Sequence, residues 1–371
     1  MTATGEWASV LVEARRVTAD IATLLGVEVD AATMLAGRAV MMNLTARGRI
    51  SAGGATRLLR TADGWCAVAL PRDDDVAALP ALMEVDEVTG DHWGALTRWA
   101  ATRPTAGVVA RAQLLDIAAA ALGEAAAAPP AVRGGGSGAG SRGFKGLLVA
   151  DLSSLWAGPL CAQLLACAGA TVVKVESRSR PDGTRRGEPA FFDWMNSGKL
   201  CYAADFDRDS DALRRLLAAA DIVIEGSRPA ALRRRKLSVD DVPARTGRIW
   251  LRINGYRDQP DRPAFGDDAA VAGGLVGAAA DGPVFNGDAI ADPLSGLEAA
   301  RAVGESLRRG GGEVIDVSMA QVAARYAALP QSIDDAVPAD VRPPAVPSAS
   351  PLGADNAAVE RLVAERSCAT C

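Results

Sequence analysis

One aspartate of this sequence stands where a nucleophilic carboxylate could work. The stretch VFNGDAIADPLSGLEAA, residues 284–300, places Asp292 among small and apolar residues, directly before Pro293 and at the start of a predicted helix. An aspartate before proline at a helix start is a good N-cap, and the helix field with its amide donors favours the ionised form. A carboxylate nucleophile must be ionised, so the position suits one. Capping alone is the competing interpretation.

The sequence holds one histidine, His92, and that scarcity limits the possible chemistry. Serine-hydrolase and HExxH metalloprotease mechanisms both need a positioned imidazole. His92 lies in VTGDHWGALTRW, where a half-buried residue at a helix start is the more ordinary interpretation. Carboxylates, arginines, hydroxyls and backbone amides are therefore the groups expected to carry any catalysis.

Arginines cluster after two of the predicted strands. ESRSRPDGTRRG, residues 176–187, includes Arg178, and GSRPAALRRRKL, residues 226–237, includes Arg234. Guanidinium groups at strand ends suit phosphate because they donate paired hydrogen bonds in a fork. A solvated charge run at a helix end is the alternative for any single arginine.

A third candidate segment, SSLWAGPLCAQLLACAGA, covers residues 153–170. It lacks the GxGxxG fingerprint, so the sequence does not support NAD binding. The small residues around Gly158 and Pro159 have two interpretations. They either let a ligand approach free backbone amides or let a helix pack closely on a strand.

Strands and helices alternate through the second half of the chain and must position these residues. The predicted strands are 147–151, 171–176, 221–225, 248–253 and 313–318, with helices from about 158 and over 209–219. This alternation predicts an α/β fold with right-handed crossovers and a Rossmann-like parallel sheet. Ligands bind beyond the carboxyl ends of such strands.

The first part of the chain has a different pattern and predicts a small α+β module. Residues 8–44 read as helical, residues 56–70 as a hairpin turning at Asp63-Gly64, and further helices are expected around 73–84, 92–101 and 110–124. The predicted organisation is a small domain over 1–128, a Gly/Pro/Ser linker over 129–143, a large domain over 144–330, and a proline-rich tail over 331–371 with a short helix at 355–366.

Composition excludes several function classes. The 371 residues carry a net charge of -5, with 49% hydrophobic and 23% charged residues, which is ordinary for a globular protein and gives no overall field suited to nucleic acid. No secretory signal or membrane span is visible, and six cysteines are too few for a disulfide scaffold, so we expect a cytoplasmic protein. Cys368 and Cys371 form a terminal CxxC with no second pair, which predicts no metal site.

Four segments in order resemble the class III CoA-transferases of the CaiB/BaiF type, a group that includes formyl-CoA and carnitine CoA-transferases and α-methylacyl-CoA racemases. They are LLVADLSSLWAGPLCAQLLACAGATVVKVES, FFDWMNSGKLCYAADF, ADIVIEGSRPAALRRRKL and GDAIADPLSGLEAARAV. The resemblance covers roughly residues 145–325. It implies an interlocked homodimer that uses acyl-CoA and a carboxylic acid as substrates, without a metal.

The resemblance also implies roles for particular residues. Asp292 matches the aspartate that attacks the acyl-CoA thioester, and the positions that contact coenzyme A match Ser154, Trp156, Ala157, Arg178 and Arg234. Transfer of coenzyme A would pass through an acyl-aspartyl anhydride and an aspartyl-CoA thioester. Gly287 and Gly296 would leave room for the acyl group and let backbone amides stabilise the oxyanion.

The sequence departs from the family pattern in four ways. The family often has Gln where Trp156 stands, its large domain begins at the first residue, and its small-domain segment follows the large domain, whereas TRLLRTADGWCAVALPRDDDVAALPALM precedes it here. The glycine-rich loop of the family is also not recognisable. Two alternatives therefore stay open: a racemase or isomerase, for which His92 would have to reach the site, and a non-catalytic CoA-binding relative.

Overall fold

In the computed structural model, which describes residues 4–226, 228–330 and 341–368, a seven-stranded sheet organises most of the chain. The strands are β1 (Thr56–Arg60), β2 (Trp65–Ala69), β3 (Ala118–Ala121), β4 (Ala131–Gly134), β5 (Leu148–Leu152), β6 (Thr171–Ser177), β7 (Leu200–Ala204), β8 (Ile222–Glu225), β9 (Ile249–Asn254), β10 (Gly277–Ala279), β11 (Gly282–Val284) and β12 (Glu313–Ser318). The helices are α1 (Thr4–Leu25), α2 (Ala31–Met41), α3 (Asp73–Ala77), α4 (Leu79–Met83), α5 (His92–Ala100), α6 (Thr105–Leu114), α7 (Ala157–Cys167), α8 (Pro189–Asn196), α9 (Ser210–Ala219), α10 (Pro229–Arg234), α11 (Gly266–Ala272), α12 (Ala291–Arg309), α13 (Met319–Ala327) and α14 (Asn356–Cys368).

The order of the large sheet is β4-β12-β9-β8-β5-β6-β7. Six of its strands are parallel, and only β4 pairs antiparallel, with β12 at one edge. The predicted α/β class and parallel sheet are therefore confirmed. Two strands of this sheet were not predicted from the sequence: β7, and β4, which lies inside the stretch interpreted as a linker.

Alternating residues of the parallel strands face two helical layers. On one face Val149, Ile224 and Leu251 pack against α7 and α12, and on the other Ala150 and Val223 pack against α9 and α14. Strands covered on both faces are near-continuous hydrophobic runs, as the sequence of β5, β8 and β9 shows.

The two N-terminal helices share the core of the large sheet. Leu11 of α1 and Leu35 of α2 are buried in the same cluster as Leu160 of α7 and Leu297 of α12. The domain boundaries inferred from the sequence stay a prediction, but this packing brings α2 close to the start of α12.

A second, three-stranded antiparallel sheet has the order β1-β2-β3 and packs with α4, α5 and α6. The predicted hairpin is confirmed: β1 pairs with β2, and the Thr61 amide donates to the Gly64 carbonyl across the turn. The predicted helix over 110–124 is wrong. Helix α6 ends at Leu114, Asp116 adopts a left-handed conformation with φ 58°, and four alanines then pair with β2 as strand β3. Sheet pairing overrides the helix propensity of alanine there.

The C-terminal segment covers the exposed edge of β7. The Asp355 carboxylate accepts a hydrogen bond from the Cys201 amide at 2.7 Å. The Asn356 side chain accepts from the Ala203 amide and donates to the Ala203 carbonyl, both at 2.9 Å. Helix α14, expected at 355–366, begins at Asn356 and packs on α9 and β7.

Some predictions about the tail fall outside the described residues. Within the proline-rich stretch 336–351, residues 341–350 form no helix or strand. Residues 336–340 of this stretch lie outside the described part of the chain. Cys371 of the CxxC pair is likewise not described. Within residues 4–226, 228–330 and 341–368, every helix is too short or too polar to cross a lipid bilayer.

Candidate active site

Asp292 lies in the first turn of α12 rather than at its cap. The helix begins at Ala291, Ile290 occupies the N-cap position, and no side chain caps the helix. The expectation that Asp292 is the N-cap is therefore wrong, because the turn before the helix starts the helical backbone earlier than Pro293 suggested. The Asp292 side chain is partly buried and does not cap the helix.

Gly266, at the start of α11, lies directly against the Asp292 side chain. A Cβ atom at residue 266 would lie 2.3 Å from Asp292 Oδ2 and 2.4 Å from the Ala289 carbonyl oxygen, so only hydrogen fits there. The Gly266 backbone amide also lowers the pKa of the Asp292 carboxyl. Glycine at this position therefore lets one oxygen of Asp292 approach the backbone directly.

The electrostatic environment of Asp292 works against its ionisation. Burial and, to a smaller extent, the nearby carboxylates of Asp267 and Asp288 raise its pKa, and the net value is about 7. The charge of Arg38 and the Gly266 amide pull the pKa down but do not compensate. We expected a fully ionised carboxylate, whereas with this pKa about half of the groups are ionised at neutral pH.

Arg38 was not predicted from the sequence and comes from α2 in the N-terminal part of the chain. Its Nη1 donates to both oxygens of Asp288, at 2.7 and 2.8 Å, and Asp288 is almost fully buried. The guanidinium carbon also lies 5.3 Å from the ring centroids of Trp156 and Phe191. Arg38 thus places a positive charge between Trp156, a predicted CoA-contact residue, and Asp288, whose carboxylate lies near Asp292.

The loop before α12 has an unusual backbone. Gly287 has φ 74° and Ala289 has φ 43°, and the Ala289 amide donates to Asp267 Oδ1 at 3.0 Å. Left-handed backbone at a residue with a side chain is a strained state that surrounding contacts must hold. Asp267 therefore holds the loop that delivers Asp292 to the site.

The expectation that Gly296 leaves room for an acyl group is wrong. A Cβ atom at residue 296 would lie 2.7 Å from the Ala157 carbonyl oxygen and 3.0 Å from Leu160 Cδ2. Gly296 therefore allows α12 to pack closely against the start of α7. The same contact brings Asp292 and the predicted CoA-contact residues to the same end of the sheet.

The predicted contact residues after β5 differ in exposure. Ser154 is exposed, whereas Trp156 and Ala157 are buried, and the Trp156 ring packs edge-on against Phe191 at 5.4 Å between centroids. A Cβ atom at residue 158 would lie 2.2 Å from the side chain of Ser153. Close packing of helix on strand is thus the reason for glycine at 158.

The two arginines singled out by the resemblance follow β6 and β8, the neighbours of β5 on either side: Arg178 comes directly after β6, and Arg234 is the last residue of α10, the helix after β8. Arg178 and Arg234 are exposed, and within the described part of the chain neither forms an ion pair. Other arginines of the same clusters are paired, including Arg185 with Glu176. These unpaired guanidinium groups are available to an anionic ligand.

Two other features lie away from Asp292. His92, at the start of α5, contacts the neighbouring Trp93 ring, and among the described residues it makes no contact with Asp292. A cavity of about 390 Å³ opens at the amino ends of β9 and β12, lined by Arg245, Arg248 and Trp250 among others. The chemistry expected of Asp292 belongs to the opposite end of the sheet.

Comparison with known proteins finds a family whose members resemble this sequence. The sequence model of CoA-transferase family III matches residues 144–354. Succinyl-CoA–D-citramalate CoA-transferase of Chloroflexus aurantiacus is 29% identical over 191 residues, which is 46% of this chain and 48% of that protein. Succinyl-CoA:mesaconate CoA-transferase of Haloarcula hispanica is 29% identical over 47% of this chain and 50% of that protein.

Among solved structures, a CAIB/BAIF family protein from Brucella suis is 27% identical, with a TM-score of 0.45 over 50% of this chain and 55% of that one. The chain spans about half the length of the curated relatives it matches. The family match covers more than half of the 371 residues and includes Asp292, every predicted contact residue and all the parallel strands of the sheet. The chain therefore belongs to CoA-transferase family III.

Proposed function

We propose that this protein transfers coenzyme A from an acyl-CoA donor to a carboxylic acid, with Asp292 as the covalent nucleophile. The observation that carries the proposal is the Asp292 carboxyl itself, which is partly buried, sits against the Gly266 backbone and has a pKa of about 7. With this pKa, both forms of the carboxyl are populated at pH 7. The protonated form is easily accommodated in a partly buried site, and the ionised form can attack the thioester.

The proposed reaction has four steps that conserve the thioester's bond energy. An Asp292 oxygen attacks the thioester carbonyl carbon, the carbon–sulfur bond breaks, and coenzyme A leaves as its thiolate. The thiolate attacks the Asp292 carbonyl of the anhydride, which releases the donor acid and leaves an aspartyl-CoA thioester. The acceptor carboxylate attacks this thioester and releases the thiolate again. The thiolate finally attacks the acceptor's carbonyl carbon and frees Asp292 as a carboxylate.

Groups around Asp292 suit the charges in these steps. The Gly266 amide, which lies beside the carboxylate and lowers its pKa, would donate to the negative oxygen that develops on the aspartyl carbonyl. Desolvation weakens the hydration of the nucleophile, and Arg38 supplies a nearby positive charge. We assign binding of coenzyme A to the positions that the resemblance implies, which are Ser154, Trp156, Ala157, Arg178 and Arg234. Trp156 would also support Arg38, because its ring packs against the Arg38 guanidinium group.

The relatives' names point to dicarboxylic acids, citramalate and mesaconate, with succinyl-CoA as donor. We therefore propose succinyl-CoA as the first donor to test. The interlocked homodimer implied by the resemblance is part of the proposal, and sedimentation of the purified chain tests it.

Hydroxylamine trapping tests the nucleophile directly. The protein is incubated with succinyl-CoA and a panel of other acyl-CoAs, treated with hydroxylamine, digested, and examined by mass spectrometry. We expect a hydroxamate at Asp292, none in Asp292→Asn, and an unchanged yield in Asp281→Asn, an exposed residue shortly before the same loop. Absence of a hydroxamate with every donor, in a chain that still binds coenzyme A, would favour a non-catalytic CoA-binding relative.

A further inference from the structure

A buried ion pair, Lys174 with Asp182, is hydrogen-bonded to the loop that connects β5 with α7. Lys174 of β6 is fully buried, and its Nζ donates to Asp182 Oδ2 at 2.7 Å and to the Ser153 carbonyl at 2.6 Å. Asp182 in turn accepts from the Leu155 amide at 3.2 and 3.1 Å. The ion pair of Lys174 and Asp182 therefore bonds the backbone on both sides of Ser154.

The carboxylate of this ion pair is itself held by the loop that follows β6. The Thr184 amide and hydroxyl donate to Asp182 Oδ1 at 3.0 and 2.8 Å, and the Asp182 amide donates to Glu176. Burial alone would lower the pKa of Lys174, but the charges of Asp182 and Asp151 outweigh it and raise the pKa above its ordinary value. Burial alone would raise the pKa of Asp182, but the charge of Lys174 outweighs it and lowers the pKa, so both partners are charged at neutral pH.

The backbone between the two contacts is in an unfavourable state. Leu155 has φ 71°, a left-handed conformation that L-residues with side chains rarely adopt, and its side chain is 37% exposed. Strained residues persist only where surrounding contacts fix them, and they concentrate at functional sites. The hydrogen bonds from Lys174 and to Asp182 fix both ends of this strained turn.

A buried ion pair is weak evidence for stability, because well-packed apolar side chains often serve as well or better. This one is connected to the backbone of a loop rather than only to its partner. Stability therefore does not by itself account for its placement.

We infer that Lys174 and Asp182 are positioning residues that hold the Ser154–Leu155 turn in the conformation that receives coenzyme A. The inference rests on the proposed function and adds two residues that do not themselves touch the ligand. Without the pair, the turn relaxes toward ordinary backbone angles, Ser154 moves, and binding of coenzyme A weakens while Asp292 is untouched.

Calorimetric titration with coenzyme A tests the inference on the full chain. We expect Lys174→Met to raise the Kd at least tenfold. The matched control is Arg72→Met, which also removes the cation from an almost fully buried carboxylate, that of Asp75, in the small sheet unit. We expect its Kd to stay within twofold. Equal Kd values for the two variants would overturn the inference.

Two further variants keep the test decisive if Lys174→Met does not fold. Thr184→Val removes only the hydroxyl bond to Asp182 at a partly buried residue, and we expect a Kd two- to fourfold higher. Leu155→Gly makes the left-handed turn free of side-chain strain. In the Lys174→Met or Thr184→Val background we expect it to recover part of the lost binding. Additive effects in this cycle would contradict a positioning role.

Hydrogen exchange provides a measurement that needs no ligand. The Leu155 amide should exchange slowly in the unmodified chain and in Arg72→Met, and quickly in Lys174→Met. Failure of the unmodified chain to bind coenzyme A would overturn both the inference and the proposed function. Normal binding by the unmodified chain and by Lys174→Met would overturn the inference alone.

Discussion

Replacing Asp292 by asparagine is expected to stabilise the fold while it abolishes catalysis. The pKa of Asp292 is about 7 in the folded chain, against an ordinary value of 3.8. Between these values the folded state binds a proton that the unfolded state has lost. Because the folded state binds more protons, stability falls as the pH rises from about 4 to about 7 and then levels off. Asparagine resembles the protonated carboxyl and carries no such penalty.

The size of this effect follows from the two pKa values. The pKa rises from 3.8 to about 7, and each pKa unit corresponds to about 1.4 kcal/mol. Asp292→Asn should therefore be more stable than the unmodified chain by about 4 kcal/mol at pH 8. At pH 5, where most folded molecules are already protonated at this residue, the gain shrinks to about 2 kcal/mol.

Urea denaturation followed by circular dichroism at pH 5 and pH 8 measures both values. Asp281→Asn serves as the control, because Asp281 is exposed and its loss should leave stability within about 0.5 kcal/mol at either pH. Activity with succinyl-CoA is assayed on the same preparations and should vanish only in Asp292→Asn. A gain that is equal at the two pH values, or a loss of stability at pH 8, would refute the reasoning.

Two further substitutions probe the surroundings of Asp292. Arg38→Met should cost about 3–5 kcal/mol in denaturant unfolding, because it leaves the Asp288 carboxylate buried without its partner. The same change should move the acidic limb of the kcat/KM profile to higher pH, since the charge of Arg38 lowers the pKa of Asp292. Arg38→Lys keeps the positive charge and should leave the limb nearly in place. An unmoved limb in Arg38→Met would contradict the assignment of that limb to Asp292. Gly266→Ala should destabilise by more than about 2 kcal/mol and remove activity, because its Cβ would lie 2.3 Å from Asp292 Oδ2. Gly136→Ala, with no atom within 4 Å of the added methyl group, is the matched control and should leave melting temperature and turnover unchanged; equal losses in the two glycine variants would count against this steric reading.

The alternation of apolar strands and helices was enough to predict the large sheet. Strands β5, β6, β8, β9 and β12 were each located within one or two residues, because buried parallel strands leave continuous apolar runs in the sequence. The four alanines of β3 were misread as helix. Their local preference is helical, and only the pairing with β2, some 50 residues earlier in the chain, makes them a strand.

The candidate site was predicted less completely. Asp292 could be singled out from its small neighbours and from the resemblance, but its local electrostatics could not. Arg38 lies 250 residues before Asp288 in the chain, and no short motif connects them. The raised pKa of Asp292 depends on Asp267 and Asp288, which come together only through the turn at Ala289. These charged residues come from three separate segments of the chain, so no hydrophobic period or short motif could predict their effect on the pKa of Asp292.

The contact between the C-terminal segment and β7 has a consequence for biosynthesis. Asp355 and Asn356 satisfy backbone groups of residues more than 150 positions earlier in the chain. During translation, β7 therefore waits with open amides and carbonyls until these side chains emerge from the ribosome. An open strand edge can pair with strands of other nascent chains, so the edge of β7 is protected only late in synthesis.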